Sequence, residues 1–415
     1  MKDLIKKKDL SESMVTFFFL ALFFYPIYPN NLKPTIVVAF CVSSIFYVLK
    51  HREAFSLKNK QLNKLFFINS GVFCILLISL LYTKDFERGA DFIFRMLPLI
   101  LFPLSFRIIS NSNLYSEELT NRAFKFFYLA TVVLFIGYMA YFYFNGNINQ
   151  FFLRDYNERI NTKLGKYSIH PIYASIYLCL ALIISIRLYT KKMLNKKVIA
   201  ILNALLILEL ILLSRKSTII LMSILFLFYL FYHSKLKLGT KWMMIAILTA
   251  TFFSVLYLVP DISKRFNEFK DLATGMNSRS SISLRYNIYN CSFDSIMDRP
   301  FLGHGLGSEK QVLLDCYKEN KRVFNGNFYN THNQYLSVWL SSGIIGFLSL
   351  LALILYSFII SIKSRDFIFI GTLTLFAFLM LIENILERQE GVILFSLFIN
   401  SLSFTKINKT IGLNK

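Results

Sequence analysis

Charge is what this chain has least of. Only 17% of its 415 residues are Asp, Glu, Lys or Arg, against about 25% in a soluble domain. Acidic groups are scarcer still, 24 against 46 basic ones. Cysteine is rare too, with five in all, and no cysteine–histidine spacing suggests zinc. Cys41, Cys74 and Cys179 fall in apolar runs, where they read as small packing residues. A signal-peptide cleavage site is missing: no small-residue site follows the first apolar run, and further runs come after it. No clear internal repeat is present either, which argues against a transporter or flippase built from matching halves.

What fills the chain instead is hydrophobic. Apolar residues make up 55% and aromatics 17%, with 44 Phe. They come in runs of about 16 to 25 residues, enough for helices crossing a hydrocarbon core of about 30 Å. The expected fold is all-α and polytopic, with about 12 transmembrane helices and one large loop between the ninth and tenth. The expected spans are 14–28, 34–49, 65–82, 89–106, 125–144, 172–187, 198–213, 217–232, 242–259, 335–362, 367–383 and 391–404. Residues 198–232 as one helix would be ~52 Å long, too much for one crossing. A hairpin with Ser214-Arg215-Lys216 at its tip is the better reading. The domains are then 1–259 (helices 1–9), 260–334 (the loop) and 335–415 (helices 10–12 and a tail).

Charge sets the orientation. Lys6-Lys7-Lys8, Lys58, Lys60, Lys64, Lys191, Lys192, Lys196 and Lys197 lead an excess of cations on the amino-terminal side. Cytoplasmic segments carry that excess, so both termini are expected in the cytoplasm and the long loop outside. The net charge of +22 is then topology and contact with anionic lipid, with no need for nucleic acid. Cys291 and Cys316 share the outside loop, where an oxidising compartment permits a disulfide. Their Cα separation, which decides it, is not given by sequence.

Polar groups gather on that outer side. Arg95 lies about two turns inside the fourth span and either faces a cavity or snorkels outward. His170-Pro171 opens the sixth span. Arg215 and Lys216 form the hairpin tip. A helix-like stretch from Leu284 and Arg285 runs to Pro300, and Gly303-His304-Gly305-Leu306-Gly307 makes a turn rather than a dinucleotide fingerprint. Glu383, Glu387 and Arg388 lie between the last two spans. Thr331-His332-Asn333-Gln334 ends the polar loop at the start of an apolar helix that carries Gly343 and Gly346.

The run from His332-Asn333 across nine residues to Gly343-Ile344-Ile345-Gly346 closely resembles the signature of the O-antigen ligase and polymerase superfamily of polytopic glycosyltransferases. Ser214-Arg215, then Arg285, then Pro300-Phe301-Leu302-Gly303-His304-Gly305 follow in the same order. The resemblance covers Arg215 to about Gly346. It implies transfer of a glycan from a polyprenyl (undecaprenyl) diphosphate carrier to an acceptor hydroxyl, at the outer face of the bacterial inner membrane. The acceptor would be a lipid A–core for a ligase of lipopolysaccharide biosynthesis, or a lipid-linked repeat unit for a polymerase. A side-chain hydroxyl is the third option, and the chain's stopping soon after the twelfth span weighs mildly against it.

The chemistry fits the residue types. Guanidinium groups stay charged and bind phosphate oxygens in pairs, so Arg215 and Arg285 suit the leaving diphosphate. His332 suits the acceptor proton, with Asn333 or a backbone carbonyl fixing its tautomer and the positive helix end disfavouring imidazolium. Arg95, His170, Lys216 and Asn333 are expected to line the substrate. Gly343 lies eleven residues beyond His332, close to three turns, and so on nearly the same helix face. With Gly346 it forms either a close-packing stripe or a groove for the polyprenyl chain. No compact carboxylate cluster such as Asp-x-Asp sits outside, so no metal and no other cofactor is expected.

Overall fold

The computed structural model describes residues 9–52, 58–111, 114–145, 154–213, 215–234, 236–258, 281–319 and 328–410. Among these there is no β-strand, and each of the twelve expected spans coincides with helix. They are α1 (Leu10–Leu22), α2 (Lys33–Lys50), α3 (Lys60–Ser79), α4 (Phe86–Met96) with α5 (Pro98–Ser110), α6 (Glu117–Asn145), α8 (Pro171–Thr190), α9 (Lys196–Leu212), α10 (Lys216–Phe228), α11 (Leu238–Leu258), α14 (Gln334–Lys363), α15 (Phe367–Met380) and α16 (Gln389–Thr410). Between them lie α7 (Arg154–Thr162), α12 (Ser281–Asp298) and α13 (Glu309–Glu319). Among the described residues, seven helical segments are long and apolar enough to cross a membrane, and Leu10–Leu22, Lys216–Tyr232 and Phe367–Met380 are shorter apolar helices. The protein is a polytopic all-α membrane protein.

Two departures from the expected spans have local causes. The fourth span is two helices, because Leu97 caps α4 and Pro98 restarts the chain at the first position of α5, where a missing N–H costs nothing. The hairpin of α9 and α10 turns at Leu213 and Arg215 as expected; Ser214, also at its tip, lies outside the described residues. So do the proposed domain boundary at 259–260 and parts of the long loop (261–280 and 320–327).

The centre of the bundle is α16, 94% of whose apolar window is buried. In such an interior hydrogen bonds act as glue between helices. Asn69 of α3 donates to Asn400 at 2.9 Å, Ser396 to the Pro98 carbonyl at 2.7 Å, and Tyr115 to the Ser401 carbonyl at 2.6 Å. These bonds hold α3, α5 and α16 as one frame. At one end that frame carries the connector between α15 and α16, and the start of α14 sits against it.

Candidate functional site

The Thr331–Gln334 motif is tied residue by residue to the 381–388 connector. Thr331 Oγ1 lies 3.0 Å from Asn384 Oδ1, and Gln334 Oε1 accepts from the Leu386 N–H at 2.7 Å. Glu387 accepts from Asn330 at 2.9 Å, from Ser337 at 3.0 Å and from Asn384. Asn333 caps α14, accepting from the N–H groups of Tyr335 (3.0 Å) and Leu336 (3.2 Å), which satisfies two of the donors that a helix start leaves open. His332 stands just before the cap in the left-handed region, at φ 44°. That is an uncommon backbone for a residue with a Cβ. Its N–H is held by Asn330 Oδ1 at 3.2 Å.

The imidazole faces a carboxylate. His332 Nδ1 lies 3.4 Å from Glu383 Oε2, a charge contact more than a formed hydrogen bond; Nδ1 is buried with no bond inside that limit. Asn333 is committed to the cap, so Glu383 and not Asn333 is positioned to fix the tautomer. A proton on Nδ1, assigned from this arrangement, leaves the lone pair on Nε2. A carboxylate thus faces the imidazole in addition to the start of α14. Burial alone would raise the Glu383 carboxyl. Its contact with His332 and the charges of His332, Arg285 and His170 outweigh that and hold it below the usual carboxylate range.

The charges of several cations are felt at this end of the bundle. Arg285 acts on Glu383 from α12. His170, the N-cap of α8, is lowered to about 4 by burial first, then by the charges of Arg388 and Arg215, with Glu383 opposing. The charges of Arg215 and Arg388 thus act on His170 and that of Arg285 on Glu383, from three separate parts of the chain. Lys216 opens α10 next to Arg215. Arg95 is not joined to the His332 group by any hydrogen bond or ion pair among the described residues. It is exposed, with its guanidinium 5.5 Å from the Phe92 ring centre, as the snorkelling reading expects.

A cap covers the start of α14. Cys291 and Cys316 form a disulfide with Cα atoms 5.9 Å apart, joining α12 to α13. Ile288, Ile296, Leu313, Tyr317 and Leu340 pack into a small core between cap and α14. Arg285 is thereby carried on a docked helix. One turn further on, the Tyr289 hydroxyl sits between the carbonyls of His332 (3.2 Å) and Leu381 (2.9 Å), donating to one at a time. Glu309, at the start of α13, is pushed up to about 8 by burial, with Glu387 nearby adding to the rise. It accepts from the Gly307 N–H at 2.8 Å and lines a water-sized cavity of about 10 Å³ with Gln334, Ser337 and Glu387.

Gly343 does something other than expected. It breaks α14, at φ 69° and ψ −168°, and a Cβ there would lie 2.0 Å from the Phe301 carbonyl oxygen. Into this break the 300–305 turn inserts. The Ile344 N–H donates to the Pro300 carbonyl at 2.9 Å, and the His304 and Gly305 N–H groups to the carbonyls of Leu340 (2.8 Å) and Ser341 (2.9 Å). The helical face shared by His332 and Gly343 is therefore absent, because His332 precedes the helix and Gly343 interrupts it. At Gly346 a Cβ would meet the Ser342 hydroxyl at 1.9 Å, so this glycine makes room for a neighbour on its own helix. Close packing, not a groove, is what both glycines do here.

Fold and site together define a membrane enzyme-like architecture: a helical bundle with a His–carboxylate pair and several arginines at one end. Residues 198–351 match the O-antigen ligase family, the stretch that carries Arg215, Arg285, His332, Gly343 and Gly346. Two relatives match nearly the whole chain. One is a Haemophilus influenzae protein described as uncharacterized, 25% identical over 386 residues, or 88% of each chain. The other is the ComP-specific O-oligosaccharyltransferase of Acinetobacter baylyi, 26% identical over 383 residues, covering 89% of this chain and 67% of that one. The family match and the named relative agree with the resemblance that the His332 motif carries, and they support an enzyme of the glycosyltransferase type.

Proposed function

We propose that the protein transfers a glycan from a polyprenyl diphosphate carrier to an acceptor hydroxyl, at the periplasmic face of the inner membrane and without a metal. The observation that carries this reading is the contact of His332 with Glu383, with the charge of Arg285 acting on Glu383 and that of Arg215 on His170. The acceptor oxygen attacks the anomeric carbon from the side opposite the diphosphate, a bond to that oxygen forms as the bond to the carrier breaks, and the configuration inverts. His332 Nε2 takes the acceptor proton, and Glu383 stabilises the imidazolium that results. The bonding electrons leave with the lipid diphosphate, whose growing charge meets Arg215 and Arg285. Arg388 joins them as a third cation.

The Lys and Arg bias of the connecting segments supports a periplasmic site with both termini in the cytoplasm. A lipid A–core hydroxyl is the acceptor we favour, with a lipid-linked repeat unit as the polymerase alternative. A hydroxyl on a protein side chain is the second reading, since one relative is named a ComP-specific O-oligosaccharyltransferase. Purified protein given a lipid diphosphate glycan, chelator and each acceptor in turn tests the reading. Product with one acceptor is expected. Loss of all transfer on chelation contradicts metal independence, and normal transfer by His332→Ala contradicts the base.

A further inference from the structure

The cap carries an apolar ridge that nothing among the described residues covers. On α12, Phe293 and Met297 are exposed one turn apart, and beyond its end Phe301 and Leu302 are 72% and 61% exposed. Asp294 and Asp298 run beside them in a neighbouring exposed column. The helix therefore has three zones: a buried face against the cap core, an exposed apolar ridge, and an exposed acidic edge. In a water-soluble cap a ridge of this kind marks a contact surface, and an apolar stripe beside a charged one suits a helix lying at a lipid–water boundary.

Three observations place the tip of the ridge at the hydrocarbon boundary. First, Tyr82 at the end of the Lys60–Tyr82 span donates to the Leu302 carbonyl at 2.6 Å, so the tip lies level with the end of a crossing. Second, α14 has 30 residues, about 45 Å, well beyond the ~30 Å hydrocarbon core. The stretch after the Gly343 break is, by itself, about the length of a crossing, and the exposed apolar residues Ile345 and Leu348 follow the break directly. The break that receives the tip is thus where lipid contact begins. Third, next to Tyr82, which bonds the tip, Leu81 is exposed, as is Phe86 at the start of α4. Trp339, whose ring N–H donates to the Pro300 carbonyl at 3.0 Å, stacks on Phe347 at 5.0 Å. Indole rings favour that interface. The ridge is continuous with the lipid-facing belt on both sides.

We infer that Phe293, Met297, Phe301 and Leu302 form a membrane anchor, seated in the leaflet on the site's side of the bundle. The partner is the bilayer itself. Since the same turn fills the Gly343 break, the anchor also fixes how deep the cap and its Arg285 sit relative to the bundle.

Depth can be measured directly, without reference to activity. Spin labels are placed by Leu302→Cys, Phe301→Cys and, as a reference, Lys310→Cys in the full chain in phosphatidylglycerol–phosphatidylethanolamine vesicles. A Cys74→Ser background removes the exposed free cysteine. Collision with lipid-soluble oxygen, relative to a water-soluble nickel chelate, is expected to be higher at 301 and 302 than at 310. Nickel access at 301 and 302 equal to that at 310 overturns the anchor. So does protection from both reagents with spin–spin broadening, which would mean that a second copy of the chain covers the ridge.

Discussion

The two ends of the bundle use the same side-chain chemistry to opposite ends. At the end away from His332, Arg187 of α8 and Lys406 of α16 both engage Asp366, Lys406 at 2.5 Å. Asp366 also caps α15, accepting from the N–H groups of Ile368 (3.0 Å) and Phe369 (3.2 Å). Burial would raise Asp366, but Arg187 and Lys406 outweigh it and leave the carboxyl low. That is a buried cluster of two cations on one carboxylate, and it ties three helices together. At the His332 end the cations come from a hairpin tip, a cap helix and a connector. The carboxylate there contacts an imidazole at 3.4 Å, on a left-handed backbone. The buried cluster serves stability; the His–carboxylate contact is the one the proposed reaction uses.

This contrast can be broken at several points. The largest effect expected is on turnover at the His332 end: Glu383→Gln should lower transfer about 10²–10⁴-fold, the range for general-base catalysis, while the melting temperature in detergent stays near that of the parent. A melting temperature that falls as steeply as the rate would make Glu383 structural. The opposite pattern is expected for Arg187→Ala, which leaves Asp366 with half its partners. Breaking a buried pair costs about 3–5 kcal/mol, read as a large drop in melting temperature.

Gly343→Ala should cost about 2–4 kcal/mol, since it sets a Cβ against the Phe301 carbonyl in a backbone region that favours glycine. Protease cleavage within the cap before the bundle melts would show that the docked turn is what was lost.

His170 supplies a pH test. Its folded value of about 4 lies below the 6.5 of the free side chain, so the folded chain binds fewer protons between those values. Stability from this group is present above pH 6.5 and is lost as pH falls toward 4, by at most about 3 kcal/mol. His170→Gln should flatten the melting temperature across that window. Tyr289→Phe is the mildest change, removing one hydrogen bond to the His332 or Leu381 carbonyl for about 1 kcal/mol. If its rate falls much further than its stability, Tyr289 is positioning His332.

The bundle was legible because hydrophobic runs have one membrane solution, the helix, and because Arg215 and Pro171 punctuate them. The candidate site's members could be named from sequence: His332 and Arg215 stand at the ends of apolar spans, and Arg285 lies in the polar loop between them. Their partners were harder to see. Glu383 sits at the end of an apolar span, and no periodicity links it to His332; the signal was only its place in a connector rich in acids, within a chain that has few. Gly343 misled for another reason. Counting eleven residues along an unbroken helix assumes a helix, and only the docked 300–305 turn shows where it breaks. The Cys291–Cys316 pairing needed the distance that the structure supplies.

The central claim is a division of labour, arginines for the donor and His332 for the acceptor proton. Binding of a lipid diphosphate glycan to the purified protein, measured beside single-turnover transfer, tests it most directly. Arg285→Ala and Arg215→Ala should weaken donor binding, whereas His332→Ala should bind donor as the parent does and fail to transfer it. Donor binding lost in His332→Ala but retained in both arginine variants would contradict the account.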